Sequence, residues 1–407
     1  MHAWIAIPRN RLAGVVVALC LAACSGDDTE PRSGDVVSSA SFVAPAPINA
    51  DASLVVYRMQ GISGALVEAS TLVFVPRGAA PAGGWPIVAW LHGTTTVGQP
   101  SCAPSLSPTY LDGGLTTDGA PLGVRPSGYA DLIGQLVAAG YAVVAPDLEG
   151  LGSVAKTAYP YYSLSSEARS LVAATRAAYQ STAGLSNRWA AVGHSDGGHG
   201  VLGVETYAGE APELAYKGTV AFAPFTSISA QVKLLDSFAA ADPANLVSYR
   251  ASQNILVGIM AVGLAAQQPT FQASQVMGAE LLALMPTVKN SCIFPAFVAV
   301  LTDIATKTPA LFAGFKPAWD ADPSMSAFLK ANDPGVMNGF VLLKPTLVLQ
   351  GTADPTVIES LVTALVVKLQ AAGSTALTYK TYAGADHQNV VPIGTADMLG
   401  FLKTTLP

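Results

Sequence analysis

From residue 52 onward, short runs of aliphatic and β-branched residues alternate with stretches whose apolar positions recur at helical spacing. Such alternation predicts βαβ units on a largely parallel sheet, an α/β fold. Residues 54–59 and 66–75 read as an opening antiparallel pair, and 86–91 as a strand buried on both faces that ends at His92-Gly93. A helix is predicted over 129–139, then a strand over 141–145 stopped by Pro146-Asp147. A helix over 166–179, a strand over 189–192, a helix over 197–207 and a strand over 217–223 complete this half.

The rhythm then breaks. From Phe225 to about Phe340 the apolar pattern is helical and is interrupted by Pro243, Pro269, Pro286, Pro295, Pro309, Pro317, Pro323 and Pro334. It resumes with a strand over 345–350, a helix over 357–372, a strand over 376–382 and a helix over 395–405. The simplest organisation is one α/β domain in two parts, 51–224 and 341–407, with a helical cap over 225–340 inserted between strands.

Composition narrows the class. Of 407 residues 51% are apolar and 12% charged, so most of the chain has the material for a packed core, and disorder is excluded for it. The formal net charge of −6 offers no basic face to nucleic acid or anionic lipid. Mean hydropathy is +0.41, yet the best internal apolar run, 255–266, is too short to span a bilayer.

The N-terminus reads as an address. Arg9 and Arg11 precede an apolar run over 12–23, the layout of a signal peptide. The run ends in Leu21-Ala22-Ala23-Cys24, which resembles the lipobox of bacterial lipoproteins. On that resemblance Cys24 becomes a lipidated mature N-terminus in the cell envelope; ordinary secretion and an uncleaved anchor are the alternatives. Residues 24–50 have the composition of a flexible linker. Of four cysteines, Cys20 falls in the signal, and Cys102 and Cys292 remain as an even pair, a disulfide in an exported protein or else two separate thiols.

Gly193-His194-Ser195-Asp196-Gly197 fits G-x-S-x-G between an apolar strand and a helix, the context in which a strained turn exposes a serine hydroxyl. A serine needs a base. His2 leaves with the signal, His92 ends a strand, His194 is locked in the turn and His199 packs beneath it. His387, in a loop after the last strand, remains. Asp354, following the strand over 345–350, is the expected acid; Asp386 and Asp147 compete with it. The amides of Thr94 and Asp196 are expected to form the oxyanion hole, provided the Asp196 carboxylate points away. His194, Asp196 and His199 could be imagined around a metal, but the turn geometry needs two of them; no cofactor is implied.

With strand, elbow, acid and base in place, residues 52–407 resemble the α/β-hydrolase superfamily. The segments 85–94, Cys102-Ala103-Pro104-Ser105, Gly140-Tyr141 with 145–152, and 193–198 are similar to secretory lipases of the lipase A type. That resemblance implies hydrolysis of acylglycerols and simpler esters, a cap before the acid-bearing strand, and Ser195, Asp354 and His387 as nucleophile, acid and base. Asp196 departs from the Gln or Gly more usual there. A short-chain or aryl-ester carboxylesterase, a serine peptidase and a non-catalytic surface lipoprotein are the other readings.

Overall fold

The computed structural model describes residues 30–106, 128–307 and 312–407. The expected signal peptide and Cys24 lie outside the described residues. Nine strands form one sheet in the order β1-β2-β3-β5-β4-β6-β7-β8-β9. β1 (Val36–Phe42), β2 (Ala50–Gln60) and β3 (Leu66–Pro76) run antiparallel, and β3 pairs antiparallel with β5 (Ala142–Pro146). From β5 across β4 (Trp85–Leu91), β6 (Leu185–His194), β7 (Ala215–Phe222), β8 (Thr346–Gly351) and β9 (Leu377–Tyr382) every pairing is parallel.

Strands β4, β5 and β8 read as continuous apolar runs because helices cover both faces, whereas the edge strand β9 is mostly exposed. On one face lie α2 (Leu164–Ser181) and α3 (Asp196–Leu202), which pack on each other. α1 (Tyr129–Ala138) and α11 (Val390–Thr405) form another packed pair on the sheet, and α10 (Glu359–Ala371) packs on β8 and β9. The short α4 (Val204–Tyr207) continues the direction of α3, so the single helix expected over 197–207 is two, divided at Gly203 where a Cβ would press on Leu164. The chain leaves β4 to one neighbour, β5, and later returns to the other, β6, so strand order reverses at β4. The carboxyl ends of strands at such a reversal form a natural crevice.

The 24–50 segment is not linker throughout. β1 lies within it, each residue partly or fully exposed, and is held by backbone pairing to β2 and by Arg176, which donates to Ser33 O at 2.6 Å and Asp35 at 3.0 Å. A strand exposed along its length needs no apolar alternation, so its serines and alanines carried no signal. α11 starts at Val390, ahead of the expected 395, because Pro392 falls in the first turn, where a missing N–H removes no helical bond.

Between β7 and β8 lie α5 (Ile228–Ala241), α6 (Leu246–Gln267), α7 (Ala279–Lys289), α8 (Ile293–Thr306) and α9 (Pro323–Asn332). α6 packs on α5, α7 and α8, which explains why 255–266 is apolar on nearly every side. Among the described residues no helix is long and apolar enough to cross a membrane. The cap is fastened to the core at the start of α8. Cys292 forms a disulfide with Cys102, Ile293 N–H donates to Thr95 O at 2.8 Å, and Thr96 Oγ1 donates to Ser291 O at 2.9 Å.

Candidate active site

Ser195 stands at the turn between β6 and α3 with φ 59° and ψ −119°, a backbone conformation that costs free energy in a non-glycine residue. Two glycines permit it. A Cβ at Gly193 would lie 2.2 Å from Gly197 O, and one at Gly197 would lie 2.0 Å from Leu91 O. The turn is held by Ser195 N–H donating to Phe222 O (2.9 Å) and by Ser195 O accepting from His199 and Phe225 amides (2.9 and 3.0 Å).

The loop after β9 brings His387 to the serine. Its Nε2 lies 3.0 Å from Ser195 Oγ and its Nδ1 2.7 Å from Asp354 Oδ2. With the proton on Nδ1 facing the carboxylate, Nε2 offers a lone pair to the hydroxyl. Asp354 is fixed in turn: Oδ1 accepts from the amides of Thr356 and Val357, both at 2.8 Å, and Oδ2 from Gln350 Nε2 at 3.3 Å. The competing carboxylates sit elsewhere. Asp386 accepts from the amides of Gln388 and Asn389, and Asp147 from Ser70, Ser105 and the Ser105 amide.

Gly93-Thr94 ends β4 against the nucleophile, where a Cβ on Gly93 would meet the Ser195 Cβ at 3.2 Å. Thr94 Oγ1 lies 2.9 Å from Tyr161 OH. Among the described residues no hydrogen bond occupies the amide N–H of Thr94 or of Asp196. Both amides are therefore free of other partners among those residues, the condition an oxyanion donor must meet. The Asp196 carboxyl is buried behind the turn, with Oδ2 accepting from Tyr159 OH at 3.3 Å, and it does not line the cavity. Burial, and then the Glu167 carboxylate, push it well above the usual carboxylate range.

His194 Nε2 lies 2.8 Å from the main-chain oxygen of His387, and its Nδ1 2.5 Å from Tyr129 OH. Burial and the nearby His387 hold its ring well below the usual histidine range, so His194 is neutral and donates from Nε2. Tyr129 in turn accepts from Gly93 N–H at 3.2 Å. The sequence carried no sign of Tyr129, Glu167 or Gln350: Tyr129 and Glu167 act on the site from distant segments, and Gln350, four residues before Asp354, ends an apolar strand with no motif around it.

Glu167, Asp196 and His199 offer atoms within 4.8 Å of one another, all buried, which has the outline of a metal site. The donor set does not fit a cation. His199 Nδ1 faces Glu167 Oε2 and Nε2 faces Asn332 O, each at 2.7 Å, so both ring nitrogens are turned to acceptors. Burial opposes its charge, but the Glu167 carboxylate prevails and raises it to about 9. The ring also stacks on Tyr162 with centroids 4.1 Å apart. Of the histidine and carboxylate set named in the sequence, His194 likewise has both nitrogens engaged.

A cavity of about 360 Å³ opens over Ser195 and His387. Its remote walls are apolar, formed by Phe225, Leu235 of α5, Ile255 and Ile259 of α6, and Phe294 and Phe297 of α8. The α6 run is thus both cap core and cavity wall.

A strained serine turn after β6, a buried aspartate after β8 and a histidine after β9, all at the carboxyl edge of a largely parallel sheet, have the layout of an α/β hydrolase. The family model described as "Alpha/beta hydrolase family" matches residues 91–397, and the chain belongs to that family. No curated protein sequence matches it. Among solved structures it is similar to the rice cell wall degrading esterase LipA from Xanthomonas oryzae, with a TM-score of 0.68 at 18% identity, covering 92% of this chain and 99% of that one. It is also similar to Candida antarctica lipase A in its closed state, with a TM-score of 0.69 at 17% identity, covering 93% and 84%.

Proposed function

We propose that the protein is a serine hydrolase of carboxylic esters, of the lipase and esterase kind, acting through an acyl-enzyme on Ser195. One observation carries the reading: the hydrogen-bonded line Ser195–His387–Asp354 opens into an apolar cavity rather than a charged one. His387 Nε2 takes the hydroxyl proton as Oγ attacks the ester carbonyl, and the oxyanion accepts from the Thr94 and Asp196 amides. The imidazolium, steadied by Asp354, gives its proton to the departing alcohol. Water then repeats the sequence on the acyl-enzyme and releases the acid.

The wall of Phe225, Ile255, Ile259, Phe294 and Phe297 favours an acyl chain as the group bound, which places acylglycerols and other fatty esters first. Arg250, the cap arginine a peptidase could use for a carboxylate, is paired with Asp236 at 2.5 Å. The disulfide suits an oxidising compartment, in keeping with export and anchoring through Cys24.

The test is a panel of p-nitrophenyl esters from acetyl to palmitoyl, with Ser195→Ala beside the parent. Expected is hydrolysis that persists at long chains and is lost in the variant. Activity confined to short chains makes the protein a carboxylesterase, and activity unchanged in Ser195→Ala overturns the reading.

A further inference from the structure

Beneath the nucleophile turn lies a buried group of ionisable side chains that ester hydrolysis as described does not use. Asp196 opens α3, His199 follows it by one helical turn, and Glu167 reaches them from α2. His199 has both nitrogens on acceptors, so it carries two protons and a positive charge. Four carboxyl oxygens remain to be accounted for. Glu167 Oε2 accepts from His199, and Asp196 Oδ2 accepts from Tyr159. Glu167 Oε1 and Asp196 Oδ1 are buried with no hydrogen-bond partner among the described residues. Two acceptors in one cluster are thus left without a hydrogen bond, although the Tyr161 hydroxyl faces Asp196 and the Tyr162 backbone faces Glu167, and buried polar atoms are rarely left in that state.

We propose that Asp196 is held as a neutral carboxylic acid whose proton is directed at Glu167, while Glu167 keeps its charge against the His199 imidazolium. The group then carries no net charge beneath the oxyanion hole. Asp196 can lend its main-chain N–H to an oxyanion without setting a carboxylate against it, which answers why an acidic residue is tolerated directly after the nucleophile. Asp196 acts here as a positioning residue through its side chain, and the inference rests on the hydrolase reading above. The groups facing its carboxyl are Glu167 from α2, His199 from α3, and the hydroxyls of Tyr159 and Tyr161 from the segment before α2; Tyr162 stacks on the far side of His199. Burial and the Glu167 charge both favour the protonated form. At alkaline pH the acid is lost, an opposing charge appears, and turnover falls.

The decisive readout is the infrared carbonyl band of a protonated carboxylic acid, recorded in the intact protein at neutral pH. Expected is a band that shifts when aspartate carries carbon-13 in its side-chain carboxyl, disappears in Asp196→Asn, persists in Ser195→Ala, and fades over the same alkaline range in which kcat falls. The fall is expected to be on the order of 10²-fold, comparable to losing one oxyanion donor. Asp196→Asn lacks that alkaline limb. If Asp196→Asn does not fold, Tyr159→Phe, which removes the hydroxyl donating to Oδ2, must move the band instead. Absence of the band, a band that follows labelled glutamate, or an Asp196→Asn enzyme faster than the parent at neutral pH overturns the proposal. Hydrolysis that survives in Ser195→Ala sinks the triad and leaves the band still readable, so the two failures are distinct.

Discussion

His194, the residue before Ser195, holds the backbone of His387: its Nε2 donates to the His387 carbonyl at 2.8 Å, and the two rings lie 4.6 Å apart. The turn that carries Ser195 therefore also fixes the loop that carries His387. Through Tyr129 and the Gly93 amide, the same ring is tied to the end of β4. The ends of β4 and β6 and the loop after β9 are thereby tied together through one ring.

Replacing His194 by Phe keeps bulk and removes both hydrogen bonds. We expect kcat to fall by about 10²-fold, the effect of a small misplacement of a catalytic group. Steady-state kinetics on a soluble ester, with Tyr129→Phe as the milder companion, measures it; a change in KM alone would point to cavity shape instead.

Asp354→Asn leaves the amides of Thr356 and Val357 an oxygen to bond but takes the charge from His387 Nδ1. Turnover is expected to drop by about 10⁴-fold with a folded protein, since the amide favours the wrong imidazole tautomer. Circular dichroism beside the rate distinguishes this from unfolding.

Cys102→Ser with Cys292→Ser opens a link spanning 190 residues. Chain-entropy reasoning gives a stability loss of up to about 5 kcal/mol. The bond adjoins Ile293 and Phe294 of the cavity wall, so KM for long-chain esters should rise more than kcat falls. Thermal melts and chain-length kinetics read the two effects separately.

His199 ties stability to pH. Its folded pKa is raised from 6.5 to about 9, so the stabilisation from its charge is fully present below about 6.5 and is lost as pH rises through about 9. Melting temperature should decline over that interval, and His199→Gln, which keeps hydrogen-bonding capacity without the charge, should flatten the slope.

Ile259→Trp fills the cavity from α6. Hydrolysis of palmitoyl esters should fall at least tenfold relative to acetyl esters, while the acetyl rate stays close to that of the parent. An equal loss at all chain lengths would place the acyl chain elsewhere.

The parallel half of the sheet was legible in the sequence because strands buried on both faces are unbroken apolar runs, as at 86–91. Ser195 and Asp354 could be marked because each follows such a run at the same edge of the sheet, whereas His387 was reached by elimination among the histidines, since β9 before it is a mostly exposed edge strand. β1 escaped notice because an exposed edge strand has no apolar face to announce it. The pairing of Glu167 with His199 was invisible for a different reason. Thirty-two positions apart, on two helices that meet only in three dimensions, they leave no periodic trace. The direction of the Asp196 side chain depends on the rotamer available at a strained turn, which residue order alone does not encode.

The cap also shapes how the chain must assemble. β7 pairs with β6 on one side, while its other partner, β8, joins through Thr219 and Thr346, with the whole cap between them in sequence. Until the cap has been spanned, β7 presents a bare hydrogen-bonding edge to its surroundings. Contacts this distant in sequence are slow to form, and an open strand edge invites foreign strands. The insertion that walls the cavity is thus also the stretch during which the nascent sheet is most exposed to aggregation, and a chain stalled there has Ser195 but not yet His387.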